Sequence, residues 1–130
     1  MQLPDGFGQV VPYLFVDDAD GYLDHIAAAL GGTVTSRTVD QAGVLRNGHV
    51  HFGQGSLMVS EATADFPAQS TSIYLFVDDA DAGVARAAAA GMVVLFDPID
   101  MPYGDRQGGV QDDRGNIWWI SQRLRPGPYR

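Results

Sequence analysis

His49 and His51 form an H-x-H pair. On a strand, residues two apart share a face. Two imidazoles side by side could hold a metal ion or work as an acid–base pair. Two donors do not complete a coordination shell, however, and no further ligand lies close by in sequence. The remaining histidine, His25, falls on a helical pattern beside the apolar Ile26 and reads as partly exposed helix surface. Asp17, Asp18 and Asp20, and again Asp78, Asp79 and Asp81, resemble divalent-cation clusters. Both sets stand where a strand passes into a helix, and N-capping accounts for carboxylates there. No Ser-His-Asp arrangement carries a nucleophile elbow. The Gly-Gly pairs at 31–32 and 108–109 lack the flanks of a phosphate loop. All eight basic residues are Arg, so lysine Schiff-base chemistry is absent. With no cysteine there is neither a disulfide framework nor a thiolate metal site.

The elements that must position these residues come in duplicate. Residues 13–20 read YLFVDDAD, and residues 74–81 read the same eight letters, 61 positions on. Each copy runs into an Ala-rich stretch ending in Gly, at Gly31 and Gly91. Each later reaches a glycine turn and a short apolar run, Gly55-Ser56-Leu57-Met58-Val59 and Gly115-Asn116-Ile117-Trp118-Trp119. Aligning those turns gives an offset of 60, as if the second copy had lost one residue. Within a copy the pattern predicts strand, helix, then three strands. Val10 to Val16 is a β-branched and aromatic run. Tyr22, Leu23, Ile26 and Leu30 recur at helical spacing, and Gly31-Gly32 ends the helix. Strands are expected near 33–39, 44–52 and 55–61. The second copy repeats this with a strand from Ile73 to Val77, a helix through Val84 to Ala90, and strands near 92–96, 107–112 and 116–121. The expected organisation is one domain of two modules, 9–62 and 70–122, with 123–130 as a tail.

The chain has 130 residues and is 45% hydrophobic, enough to bury a core without staples. Sixteen acidic residues, all but Glu61 being Asp, face eight Arg for a net charge of −8. So acidic a chain repels a phosphate backbone, which argues against nucleic acid as a partner, and it attracts cations. The first residues lack the basic and apolar regions of a signal peptide, and no apolar run suits a membrane span. A cytoplasmic protein with no membrane partner is expected.

A tandem βαβββ repeat of this size resembles the vicinal-oxygen-chelate superfamily. The resemblance runs over roughly residues 9–122. Its most specific stretch is MPYGDRQGGVQDDRGNIWWISQ, residues 101–122, which resembles the ending of the glyoxalase/bleomycin-resistance-like branch. Asp112-Asp113-Arg114-Gly115 stands where that branch usually has an Asp-Pro turn. The resemblance implies an α+β fold in which two βαβββ modules form a curled mixed sheet with a central cleft, helices covering the outer faces. It also implies a homodimer. Metal enzymes of this superfamily carry ligands on the first and fourth strands of each module. Matching strand ends and turns puts those positions at Val11, Val59, Ser72 and Trp119, none of them a good ligand. With a single Glu, two Glu ligands from one chain are impossible. No metal or other cofactor is expected.

Strand alternation from these positions aims Tyr13, Phe15, Leu57, Tyr74, Phe76 and Trp119 into the cleft, and places Leu14, Val16, Leu75, Val77 and Trp118 under the helices. Tyr103 and Arg106 of the PYGDR loop complete the expected ligand-binding set. Arg106 reads either as a loop-holding ion pair or as a ligand contact. A cleft lined with rings suits a flat or cationic ligand. The reading is a metal-independent small-molecule binding protein of the bleomycin-resistance type, with no catalytic residue assigned. The alternative is a lyase or dioxygenase with a displaced metal site at His49, His51 and Glu61.

Overall fold

A computed structural model describes residues 1–129. The elements run β1 (Tyr13–Val16), α1 (Ala19–Leu30), β2 (Thr33–Val39), β3 (Leu45–Phe52), β4 (Gly55–Glu61), β5 (Ser72–Phe76), α2 (Ala80–Ala89), β6 (Val93–Asp100), β7 (Asp105–Gln111) and β8 (Ile117–Arg123). Each βαβββ set builds a mixed four-stranded sheet, in the orders β1-β4-β3-β2 and β5-β8-β7-β6. The first strand of each pairs parallel with the last, and the other pairings are antiparallel. The fold is the expected α+β repeat. The chain divides into two compact units, Met1–Gln69 and Ser70–Arg130.

In the first unit, α1 buries Tyr22, Leu23, Ile26 and Leu30 on one side of its sheet. The strands answer with Leu14, Val16, Leu45, Val50, Leu57 and Val59, all buried. Gly48 lets the helix approach, since a Cβ there would stand 2.7 Å from a Leu23 methyl. In the second unit α2 is thinner and buries only Ala80, Val84 and Ala87. The sheet compensates with bulk: Trp118 is fully buried and sits at the position that Leu57 holds in the first unit. Gly108 repeats the role of Gly48, its missing Cβ lying 2.7 Å from Val84.

Several local expectations are corrected. The first strand begins at Tyr13 rather than Val10, because Pro12 has no N–H for the ladder and only its carbonyl pairs, with the N–H of Met58. β6 runs on to Asp100 past Pro98; as an edge strand with register shifts it tolerates a proline. Asp79 caps α2 by accepting the N–H of Ala82, as expected. Asp18, the N-cap of α1, has a left-handed backbone and makes no side-chain cap bond. Glu61 takes over: its two carboxylate oxygens accept the N–H groups of Asp18 and Ala19, each at 3.0 Å. Gln122 does the same in the second unit, its side-chain oxygen accepting from Ala80 N–H.

The alignment of the fourth strands also changes. Leu14 pairs with Val59 and Leu75 with Ile120, so the offset there is 61, not 60. The β3 and β7 strands are related by 60, since Gly48 pairs with Val59 and Gly108 with Ile120. The residue lost before β7 is regained in the longer turn at 112–116, which Asp112 holds by accepting the N–H groups of Arg114 and Asn116. Val59 therefore corresponds to Ile120, and both lie under helices. Trp119 corresponds to Met58, on the opposite face.

Candidate functional site

Each sheet has one face covered by its helix and one that is not. In the first unit the uncovered face carries Tyr13, Phe15, His49, His51, Met58 and Ser60, which alternate with the buried helix-side residues. Tyr13 and Phe15 stack at 4.6 Å between ring centroids, and Phe66 continues the stack against Phe15 at 5.7 Å. Phe7 meets His49 edge-on at 5.0 Å. The polar groups are taken up locally. Ser60 donates to the carbonyl of Arg46 at 2.6 Å, so the hydroxyl of Tyr13 donates to Ser60 Oγ at 2.9 Å. Ser56 donates to the carbonyl of Gly6 at 2.8 Å, so His51 Nδ1 must supply the proton in its 3.0 Å contact with Ser56 Oγ. Nδ1 is thus the donating nitrogen of that ring.

In the second unit the uncovered face carries Tyr74, Phe76, Phe96, Gln107, Gly109, Trp119 and Ser121. Tyr74 and Phe76 are 43% and 55% exposed although both stand on a strand, so they present ring surface rather than fill a core. Trp119 lies beside Tyr74 in the β5–β8 ladder and meets the Phe96 ring at 5.8 Å. Gly109 makes that possible: a Cβ there would stand 2.4 Å from Phe96. The Trp119 indole N–H donates to Ser72 Oγ at 2.5 Å.

The PYGDR loop supplies a polar centre at the edge of this face. Asp105 is 0% exposed. Its Oδ2 accepts from Tyr74 at 2.5 Å and from Tyr129 at 2.8 Å, and its Oδ1 accepts from Arg123 at 3.0 Å. Burial by itself would raise the Asp105 carboxyl. The two phenols and the guanidinium outweigh it and hold the group below the usual carboxylate range. Burial, followed by the adjacent carboxylate, pushes the Tyr74 and Tyr129 hydroxyls above the usual phenol range. Beside this cluster, Tyr103 donates to Gln107 Oε1 and Gln107 Nε2 donates to Ser121, both at 2.8 Å.

The residues expected in a ligand site are found in both units. Tyr13 and Phe15 share the uncovered face of the first unit; Tyr74, Phe76, Trp119 and Tyr103 group in the second. Leu57 does not join them: it is 3% exposed and alternates onto the helix side with Val59. Arg106 is drawn to the helix side as well, where it pairs with Asp81 at the start of α2 and with Asp100. Those two carboxylates raise its already high pKa further. The alternative set of His49, His51 and Glu61 does not assemble either, because Glu61 is committed to capping α1. Asp105, which lay inside the PYGDR motif without being assigned to the site, and Arg123, Phe96 and Tyr129, which lay outside it, complete the second face. Only the loop motif around Asp105 hinted at them.

The metal implied by the fold family finds no matching donors. On the first and last strands of each sheet, the uncovered face offers Tyr13, Phe15, Ser56, Met58 and Ser60 as side chains toward a metal, and Ser72, Tyr74, Phe76, Trp119 and Ser121 in the second unit. Rings, hydroxyls and one thioether make a poor set for a divalent ion. Among the described residues, no group of three or more His, Cys, Asp or Glu stands close enough to hold one. No helix among them is long and apolar enough to cross a membrane.

Comparison with known proteins agrees with this architecture. The family model for the Glyoxalase/Bleomycin resistance protein/Dioxygenase superfamily matches residues 6–120. A 56-residue stretch is 43% identical to CFP32 of Mycobacterium tuberculosis, whose name carries the word glyoxylase. That match covers 43% of this chain and only 20% of CFP32, so the chain spans about a fifth of that relative. The fold is similar to that of TioX from Micromonospora sp. ML1, with a TM-score of 0.77 at 24% identity over 90% of this chain and 99% of TioX. It is also similar to TnmS3, an antibiotic binding protein from Streptomyces sp. CB03234, with a TM-score of 0.69 at 24% identity over 89% of this chain and 97% of TnmS3.

Proposed function

The chain belongs to the Glyoxalase/Bleomycin resistance protein/Dioxygenase superfamily, and from that premise we propose that it is a metal-independent binding protein for an aromatic or cationic small molecule, antibiotics included. The observation that carries this is the half-exposed ring surface of Tyr74 and Phe76 beside Trp119, on a sheet face that no helix covers. Rings so placed gain area and stacking energy when a flat ligand covers them, on the order of 1 kcal/mol per ring pair beyond burial. Polar side chains around them are already hydrogen-bonded, so a ligand does not have to strip them of water unpaired. The net charge of −8 favours approach of a cation. That TnmS3, an antibiotic binding protein, shares the fold supports the reading.

The donor set supports binding over metal-assisted catalysis, which in this family would use a bound ion as Lewis acid. The protein acts in the cytoplasm, and as a homodimer, in this reading; light scattering measures the second point. The functional test is titration with planar aromatic and cationic compounds, followed by tryptophan emission. Trp119 responds and the buried Trp118 does not. No response across both classes overturns the reading. Metal analysis of protein purified without chelators gives an independent check. A stoichiometric ion that is lost in His51→Ala would favour an enzyme instead.

A further inference from the structure

After β8 the chain turns back on its own sheet. The N–H of Leu124 donates to the carbonyl of Gly104 at 2.9 Å, and Arg123 donates to the carbonyls of Gly127 and Pro128 at 3.4 and 3.2 Å. This brings the Tyr129 ring to 4.4 Å from the guanidinium carbon of Arg123 and 6.2 Å from the Tyr103 ring, edge-on. Its hydroxyl reaches Asp105 Oδ2 at 2.8 Å. Tyr129 is nonetheless 55% exposed, while the carboxylate it meets is wholly buried. The covering residue is peripheral and the group under it is not.

What surrounds Tyr129 is what a free phenol would require. The ionised carboxylate accepts an acidic O–H and makes a stronger bond with it than a neutral acceptor would. The guanidinium lies against the ring face. The edge of Tyr103 closes one side. Tyr74 brings a second phenol to the same carboxylate oxygen at 2.5 Å, so Asp105 already selects this donor from within the fold. Arg123 beside the carboxylate disfavours an ammonium group at this point, because its own charge would face a second cation.

We propose that Asp105, Arg123 and Tyr103 form a subsite for the phenolic ring of a small-molecule ligand, and that Tyr129 of the chain's own tail fills it when the ligand is away. This rests on the binding function above and narrows the ligand to hydroxylated aromatics. A tethered group of this kind competes at an effective concentration on the order of millimolar. A ligand displaces it by adding contacts to Tyr74, Phe76 and Trp119 that Tyr129 does not make.

The experiment uses the full chain, Tyr129→Ala, and two small probes, p-cresol and 4-methylanisole, with affinity read by calorimetry or NMR shifts. Tyr129→Ala is expected to bind p-cresol roughly tenfold or more tightly than the unaltered protein, since the tethered competitor is gone. 4-Methylanisole, which has no donor, is expected to bind roughly tenfold or more weakly than p-cresol. Asp105→Asn added to Tyr129→Ala should lose the same preference, with circular dichroism confirming the fold. The comparison of the two probes decides the matter even where that double variant is unfolded. Equal affinity for the two probes, or no gain in Tyr129→Ala, overturns the subsite. If hydroxyl-free planar compounds still bind in that case, the broader binding function stands; if no compound binds at all, both fall.

Discussion

Replacing Asp105 with Ala removes the acceptor for three donors at once: Tyr74, Tyr129 and Arg123. Breaking a buried charged pair by deleting one partner costs about 3–5 kcal/mol. Arg123 keeps the carbonyl of Tyr103 at 2.8 Å, and its side chain is 22% exposed, so part of its charge stays solvated. The low end applies, about 3 kcal/mol. At roughly 4 °C per kcal/mol for a domain of this size, Tm should fall by about 12 °C. Urea unfolding at pH 7, followed by tryptophan emission, measures the free energy directly. A loss below about 1 kcal/mol would show that the buried cluster contributes no more than an exposed ion pair.

The same variant carries a pH signature. The Asp105 carboxyl lies below its unfolded value of about 3.9, so its stabilisation is complete above that pH and is lost as pH falls through the lowered folded value. Tyr74 and Tyr129 are shifted upward. Their contribution is complete below about pH 10 and is lost as pH rises through the raised folded values. The stability gap between Asp105→Ala and the unaltered protein should therefore be widest near neutrality and should narrow toward both extremes.

Three further outcomes are expected. Glu61→Ala removes the side-chain acceptor of the N–H groups of Asp18, the N-cap, and Ala19, the first residue of α1, and should cost about 1 kcal/mol in urea unfolding, with Glu61→Gln costing less because one acceptor oxygen remains. Trp118→Ala should destabilise by about 3–5 kcal/mol, whereas Trp119→Ala should change stability far less and instead weaken ligand binding; chemical denaturation and titration separate the two. Gly109→Ala would drive a methyl into Phe96 and push that ring from Trp119, at a cost of about 1–3 kcal/mol with an altered tryptophan emission spectrum; unchanged emission would contradict the packing described.

Much of the architecture was legible because duplication leaves an identical string, YLFVDDAD, in both copies. Alternation within that string separates Tyr13 and Phe15 from Leu14 and Val16 without any knowledge of partners, and the structure keeps that separation. Where alternation needed an alignment between copies, it failed. A compensating loss and gain around β7 moved the fourth strand by one residue, and a one-residue slip turns every side chain to the other face. Leu57 went to the helix side for this reason.

The order of elements along the chain, the two helices and the ring-bearing faces of β1 and β5 were thus set by local periodicity and repetition, because each depends on residues only a few positions apart, whereas the parallel pairing of Tyr13 with Met58 and of Tyr74 with Trp119 was decided by the folded chain. The ion pairing of Arg106 was one of its two readings in the sequence, but its partners, and the role of Glu61, were beyond that reach. Their fates depended on which distant backbone or carboxylate came within hydrogen-bond distance: Asp81 and Asp100 for one, the start of α1 for the other. The cluster at Asp105 is the clearest case. It joins β5, β7, β8 and the tail, and no spacing along the chain announces that a carboxylate, two phenols and a guanidinium will meet. Only chain folding brings them together, because a buried charge must gather its partners from wherever the packed strands can supply them.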